Sequence, residues 1–250
     1  MKRQKEVKDV ASTRVREGDQ VMAVLPGSTR ASVVFFSSFG VAYTARVVDI
    51  LASTGYGEPI QRFFKLKDRE RIVGALSLDQ RVIGDNVAKK EGAEPPVHAV
   101  AVSSDGYSLR FSLEPFVEPS TRSGRRYGRV PEGHEFVGAD VTTGKEILIA
   151  ASREARAVLT TAREVNFLSG PGRGVILIKL GEGDRVLGFI ASTGDRDLMT
   201  VETSRGAEQT ISTAKYDVTG RGGKGRELLQ RGQFTRVIHP LPEAPQPFGE

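Results

Sequence analysis

Residues 33–50 read Val33-Val-Phe-Phe-Ser-Ser-Phe-Gly40-Val-Ala-Tyr-Thr-Ala-Arg-Val-Val-Asp-Ile50. β-Branched and aromatic residues fill both arms, and a small polar turn divides them, the pattern of two short strands joined tightly. Three more stretches share this pattern: AVAVSSDGYSLRFSLEPF from Ala99, LIAASREARAVLTTAREV from Leu148 and MTVETSRGAEQTISTAKY from Met199. Their turns centre on Gly40, Gly106, Ala155 and Gly206, which lie 66, 49 and 51 residues apart. The long first interval contains residues 78–98, LDQRVIGDNVAKKEGAEPPVH, with the composition of a surface loop.

Each hairpin sits among two other recurring units. One is a short apolar run: Val21-Met-Ala-Val-Leu25, Ile72-Val-Gly-Ala-Leu76, Phe136-Val-Gly-Ala-Asp140, Val186-Leu-Gly-Phe-Ile190 and Phe234-Thr-Arg-Val-Ile238. The first four follow an acidic or turn-like lead (EGDQ, DRER, EGHE, EGDR), and the fifth follows QRGQ. The other is a Gly-rich or basic closing segment: STGYGEPIQRFF from Ser53, SGRRYGRV from Ser123, SGPGRGVILIKL from Ser169 and TGRGGKGRELLQ from Thr219. KEVKDVASTRVREGDQ, from Lys5, reads as the end of a unit whose opening hairpin is absent. Two or three short strands cannot bury a face alone, but stacked around an axis they bury it continuously and leave short edges. No segment sustains a capped 3.6-residue apolar period, so little helix is expected. The expected architecture is all-β and propeller-like, with about five four-stranded blades, the first incomplete. Residues 1–240 are expected to form this single domain and residues 241–250 a disordered Pro-rich tail.

Composition narrows the chemistry. The 250 residues include no Cys, which removes disulfides, thiolate metal sites and Cys nucleophiles. The three His, at 98, 134 and 239, are far apart, with no HxxxH or HExxH spacing, and read as incidental. No paired-carboxylate site is apparent. No apolar run approaches the ~20 residues of a membrane span, and the polar start MKRQKEVKDV has no signal-peptide core. No cofactor, metal or membrane partner is expected, and the expected location is cytoplasmic. Lys plus Arg number 36 against 31 Asp plus Glu, a net charge of +5. That excess is informative only if the cations gather on one face.

The stretch Gly18-Asp-Gln-Val-Met-Ala-Val-Leu-Pro-Gly-Ser-Thr-Arg30, then Val34-Phe-Phe-Ser-Ser-Phe-Gly40 and Tyr43, resembles a repeat of the C-terminal domain of bacterial DNA gyrase and topoisomerase IV A subunits. So do Ser53-Thr-Gly-Tyr-Gly57 and Phe63-Phe-Lys-Leu66. The resemblance runs from about Lys2 to Ile238. It implies a β-pinwheel whose neighbouring blades exchange a strand and whose basic rim bends duplex DNA. It also implies partners at the bacterial nucleoid: the ATPase B subunit, together with the rest of a dimeric A subunit. The catalytic tyrosine and the ATPase belong to other parts of such an enzyme, so no catalytic residue is expected here. The gyrase signature is a Gln-Arg-Arg-Gly-Gly-Lys-Gly box. The closest match, Gly220-Arg-Gly-Gly-Lys-Gly225, lacks the initial Gln-Arg and sits in the last unit, which looks more like topoisomerase IV or an unusual gyrase lineage.

The candidate DNA-binding residues follow from the repeat. Gly220, Gly222, Gly223 and Gly225 would let the backbone approach DNA, with Arg221, Lys224 and Arg226 meeting phosphates. The box also fits G-x-G-x-x-G, but no acidic residue follows at nucleotide-site spacing, and Lys224 precedes Gly rather than Ser or Thr. A plain flexible turn is the alternative. Arg122, Arg125, Arg126 and Arg129 form the densest basic cluster, for which a solvated loop is the alternative. Arg62 and Lys65, then Arg153, Arg156, Arg163 and Arg173, and Lys215 near the end of the last hairpin, complete the set. The phenylalanines at 35, 36, 39, 63 and 64 read as packing groups, because a wrapped duplex offers phosphates rather than bases. The expected function, with the resemblance, is binding, bending and wrapping of duplex DNA without sequence preference, assisting strand passage and supercoiling control by a type IIA topoisomerase. The alternatives are a protein-interaction propeller and, less favoured, a propeller enzyme with a central site.

Overall fold

The computed structural model describes residues 1–84, 87, 94–194 and 196–246. Residues 85, 86 and 88–93 of the expected loop over residues 78–98, and the tail beyond residue 246, lie outside them. Within that loop residues Gln80–Ile83 form a helical turn, capped by the Asp79 carboxylate, and His98 already belongs to a strand.

Every expected hairpin forms. Strands β1 (Ser32–Ser37) and β2 (Val41–Arg46) pair antiparallel, and β3 (Ile72–Ser77) returns to the other side of β1. The unit repeats as β4 (His98–Ser103), β5 (Tyr107–Phe111) and β7 (Phe136–Thr142); as β8 (Ile147–Ser152), β9 (Arg156–Thr161) and β12 (Val186–Ser192); and as β13 (Met199–Thr203), β14 (Glu208–Ile211) and β16 (Phe234–Ile238). The turn residues Gly40, Gly106 and Gly206 have φ of 77, 84 and 78°, and Ala155 has 55°. That left-handed conformation is the one glycine adopts without strain.

In the first three sheets the outer strand comes from the following unit. β6 (Arg125–Arg126) pairs with β2, β11 (Val175–Ile176) with β5, and β15 (Arg226–Glu227) with β9. The two-residue β10 (Phe167–Leu168) adds a parallel contact to β5. In each closing segment a positive-φ glycine precedes the outer strand, namely Gly124, Gly174 and Gly225, and the backbone of β2, β5 or β9 lies where a Cβ would be. β14 has no such partner among the described residues.

Four sheets are therefore built, each centred on an apolar strand. β4 is buried along its whole length, and both faces of β1 and β8 are largely buried. The third strands pack against one another around the inside, where Gly74 of β3 abuts the Ala139 carbonyl and Gly138 of β7 abuts the Phe189 ring. The incomplete unit at residues 1–31, counted as a fifth, adds no sheet. Its one bridge among the described residues is the parallel contact Arg3↔Ala52. Aromatic packing joins the first two sheets: Tyr127, from the closing segment, stacks on Phe111 at 5.1 Å and meets Phe36 edge-on at 5.2 Å. Phe36 and Phe64 are buried, and Phe35, Phe39 and Phe63 half-buried, as packing groups should be.

Candidate nucleic-acid interface

The closing segments carry a hydrogen-bond pattern that the sequence alone does not display. At each junction the amide of a basic residue donates to a carbonyl in the next closing segment: Lys65 to Arg122 (2.7 Å), Arg129 to Gly172 (2.8 Å) and Lys179 to Gly223 (2.8 Å). Arg173 adjoins Gly172 and Lys224 adjoins Gly223 in the chain. Two cations thus recur at each of three junctions, Lys65 with Arg122, Arg129 with Arg173, and Lys179 with Lys224, with Arg122 aligned to Gly172 and Gly223 and so one residue ahead of Arg173 and Lys224. All six side chains are exposed. Five of them make no ion pair among the described residues. Arg173 is the exception: it pairs with Asp105 of the preceding sheet at 2.9 Å and lies 3.7 Å over the Tyr107 ring.

Lys179 was not among the candidates read from the sequence, because it ends the apolar run Val175-Ile-Leu-Ile178. The detectable signal was alignment of Phe64-Lys65-Leu66, Gly128-Arg129-Val130 and Ile178-Lys179-Leu180. The hydrogen bonds fix that alignment, since Tyr127 and Gly128 both donate to Gly40 O, and Leu177 and Ile178 both donate to Gly106 O. In the last unit Leu228 donates to Ala155 O, which puts Gln230 at the basic position.

The other candidates divide by what holds them. Arg125 donates to the carbonyls of Pro115, Glu118 and Pro119, pinning the loop after β5. Arg126 is exposed and reaches Phe39 O at 3.4 Å. Arg156 faces Glu227 across the β9–β15 pair at 3.2 Å, and Arg226 lies 3.7 Å from Asp217. Arg221 turns back, its Nε donating to Glu164 O at 2.7 Å and its Nη1 to Ile176 O. Arg62 pairs with Glu58, Arg163 is exposed after β9, and Lys215 lies 5.4 Å over the Tyr216 ring. Arg153 is half-buried at the β8–β9 turn and donates to Gly183 O, away from the closing segments. Paired arginines keep free N–H groups, and exposed ion pairs are weak, of order 0–1 kcal/mol.

The glycine box also divides. Gly225 (φ 70°) packs against Ala157 O and Ile178, as Gly124 and Gly174 pack in their own junctions, so its part is structural. Gly223 borders open space, Gly222 donates its amide to Leu177 O at 2.7 Å, and the Glu164 carboxylate sits beside Gly220. Tyr127, inside the densest basic cluster, is buried and donates from its hydroxyl to Ser37 O at 2.8 Å. Burial holds its phenol well above the ordinary range.

His98 is not incidental to the structure. It is buried, its Nε2 lies 2.9 Å from Arg110 Nη1, and its Nδ1 lies 2.9 Å from Pro95 O. Buried Arg110 also donates to Glu94 at 2.6 Å and to Val165 O. Burial first, and the Arg110 charge with it, hold the imidazole below its usual pKa, against the raising influence of the Pro95 contact and of Glu94 and Glu146. No cluster of three His, Cys, Asp or Glu able to hold a metal occurs among the described residues. No helix there is long and apolar enough to cross a membrane.

Sheets arranged around an axis, the first three each closed by a strand from the next unit, define a β-pinwheel. The chain belongs to the family described as the DNA gyrase C-terminal domain, beta-propeller, which matches residues 31–79, 98–143 and 146–193, together more than half of its length. The chain is 26% identical to the DNA gyrase A subunit of Escherichia coli K12 over 220 residues, covering 87% of this chain and 24% of that protein. It is 29% identical to the DNA gyrase A subunit of Aminobacterium colombiense over 228 residues, covering 90% and 26%. It thus spans about a quarter of the length of these relatives. The crystal structure of the C-terminal domain of DNA topoisomerase IV superposes with a TM-score of 0.76 at 17% identity, covering 95% of this chain and 70% of that one. The DNA gyrase A C-terminal domain gives 0.63, also at 17%, covering 95% and 74%.

Proposed function

We propose that this domain binds duplex DNA along its outer rim and bends it, as an accessory module of a type IIA topoisomerase. The observation that carries the reading is the recurrence of two exposed cations at three successive junctions, each joined by the same backbone hydrogen bond. Exposed ammonium and guanidinium groups spaced along a curved edge suit a phosphate backbone, and each contact releases condensed counterions. Cations that meet phosphates rather than base edges carry no sequence information, so the binding is sequence-independent. Bending a duplex over tens of base pairs costs several kcal/mol on elastic grounds, offset by the contacts the bend permits. Cleavage and ATP hydrolysis are assigned to other parts of the enzyme, a dimer of A subunits with its ATPase B subunit, working on the bacterial nucleoid. Residues 1–240 act as the DNA-bending domain, with residues 241–250 as its tail.

The test is binding of a fluorescent duplex of random sequence over a salt series, with plasmid relaxation by a type I topoisomerase run in parallel. Affinity should fall steeply with salt and change little with sequence. A linking-number change that grows with protein would establish chiral wrapping, and binding without one would mean bending alone. No binding even at low salt would replace this reading with a protein-interaction propeller.

A further inference from the structure

The residue before the positive-φ turn residue is Phe39 in the first hairpin, Asp105 in the second, Glu154 in the third and Arg205 in the fourth. In the closing segments that complete the first three sheets, the residue before the positive-φ glycine is Ser123, Arg173 and Lys224 in turn. Turn and closing segment meet within one sheet, since the outer strands pair beside the turns as Val41↔Arg126, Tyr107↔Ile176 and Arg156↔Glu227. Of these three sheets, only the second joins an acid to a cation at the two places. The first has Phe39 and Ser123. The third has Glu154 and Lys224, but Gln233 Nε2 donates to Glu154 Oε1 at 2.6 Å, and the two charges make no ion pair among the described residues.

In the second sheet Arg173 Nε and Nη2 both donate to Asp105 Oδ2, at 3.1 and 2.9 Å, and the guanidinium lies 3.7 Å over the Tyr107 ring. Asp105 Oδ1 accepts from Ser103 Oγ. The carboxylate is held at both oxygens, and its side chain is only 6% exposed against 47% for Arg173. His134, Arg153 and Arg185 line a hollow beside Asp105, but none of them pairs with it among the described residues. An exposed ion pair is weak and gives way to a competing anion. This pair resists, because a phosphate that drew Arg173 away would leave a nearly buried carboxylate without its cation. The outer strand adds no charge of its own here. It is Val175-Ile176, where the first and third sheets have Arg125-Arg126 and Arg226-Glu227.

We propose that Asp105 is a built-in attenuator of DNA binding, which neutralises Arg173 in place and makes the middle of the three junctions the weakest hold on the duplex; this rests on the DNA-binding role proposed for the rim. A phosphate approaching Arg173 meets a guanidinium whose charge is already balanced one hydrogen bond away. The contact therefore displaces little of the condensed counterion layer. Arg129 is left as the one unpaired cation of that junction, and the grip is carried by Lys65 and Arg122 on one side and Lys179 and Lys224 on the other.

The test is the slope of log K against log salt for a fluorescent duplex of random sequence binding the whole chain. Asp105→Asn keeps the shape of the side chain and an acceptor for Ser103 Oγ. It should steepen the slope by about 0.9, the value of one further phosphate contact. Asp105→Ser removes the same charge without the amide and should give the same gain, with circular dichroism showing which variants are folded. Asp105→Asn combined with Arg173→Gln should return to the natural slope. Asp105→Asn combined with Arg69→Gln, a cation of the turn leading into β3, has the same net charge but leaves Arg173 in place, and should keep the gain. An unchanged slope in either folded single variant overturns the proposal. A shallower one also overturns it and makes Asp105 a group that positions Arg173 for its phosphate. A gain that survives Arg173→Gln, or that Arg69→Gln removes equally, overturns it too, since Arg173 would then not be the cation released. If no chain binds DNA at low salt, the natural one included, the DNA-binding role falls and the attenuator with it. Binding by the natural chain without the gain in the variants removes the attenuator alone.

Discussion

A methyl group added to Gly74 would overlap the Ala139 carbonyl, because β3 and β7 approach too closely to admit a side chain there. Gly74→Ala should therefore destabilise the fold by about 1–3 kcal/mol through overpacking, read as a lower thermal midpoint with the secondary structure retained. His98 makes a second residue-scale prediction. Its folded pKa is held below 6.5, so the unfolded chain binds the proton more tightly. Its contribution is fully present above about pH 6.5 and is lost as the pH falls through that value towards the folded pKa. Denaturant midpoints of the natural chain should drop over this range, and His98→Gln should flatten that part of the profile. An unchanged slope would show that the imidazole does not gate the loss. Tyr127 illustrates a limit at this scale: it sits among Arg125, Arg126 and Arg129 in the chain, yet enters the core because strand alternation sends its ring inward.

At the scale of elements, the closing segment makes two connections. It supplies the outer strand of the preceding sheet, and its following residue is tied by its amide to the next closing segment. The cation pairs are products of that double connection. Neutralising one pair with Lys179→Gln and Lys224→Gln should remove about two phosphate contacts, reducing the slope of log K against log salt by about 1.8. Because neither side chain has a partner among the described residues, the melting temperature should hardly move. An unchanged slope would place the DNA elsewhere on the molecule. Arg221→Gln should behave differently. Its guanidinium bridges Glu164 O and Ile176 O, so its loss loosens the junction as well as removing a charge.

At the scale of the whole molecule, each of the first three sheets depends on the unit after it, so their stability is shared. Hydrogen exchange should be slowest in β4 and β8, the buried central strands, and fastest in residues 5–25, which have few backbone hydrogen bonds among the described residues. Uniform protection along the chain would contradict this order. A net charge of +5 is small for a domain of this size, and much of the basic charge is neutralised in place, as at Arg46–Glu118 (3.1 Å) and Arg71–Glu135 (2.6 Å). The exposed cations in successive junctions are the ones the proposed rim uses.

The sequence by itself determined the repeat, the hairpins with their turn positions, the all-β class and the family. These depend on strand patterning and turn glycines, which are local and recur at a visible spacing. It also marked Lys65, Arg122, Arg129 and Lys224 as candidates, because each lies in or directly beside a closing segment. Only the tertiary structure decided which sheet each closing segment completes, since pairing across more than 60 residues leaves no local trace. It alone brought Lys179 into line with Lys65 and Arg129 and folded Arg125, Arg173 and Arg221 back onto carbonyls or an acid. The partner of an arginine is fixed by what the chain brings beside it, and here that neighbour usually comes from a different unit.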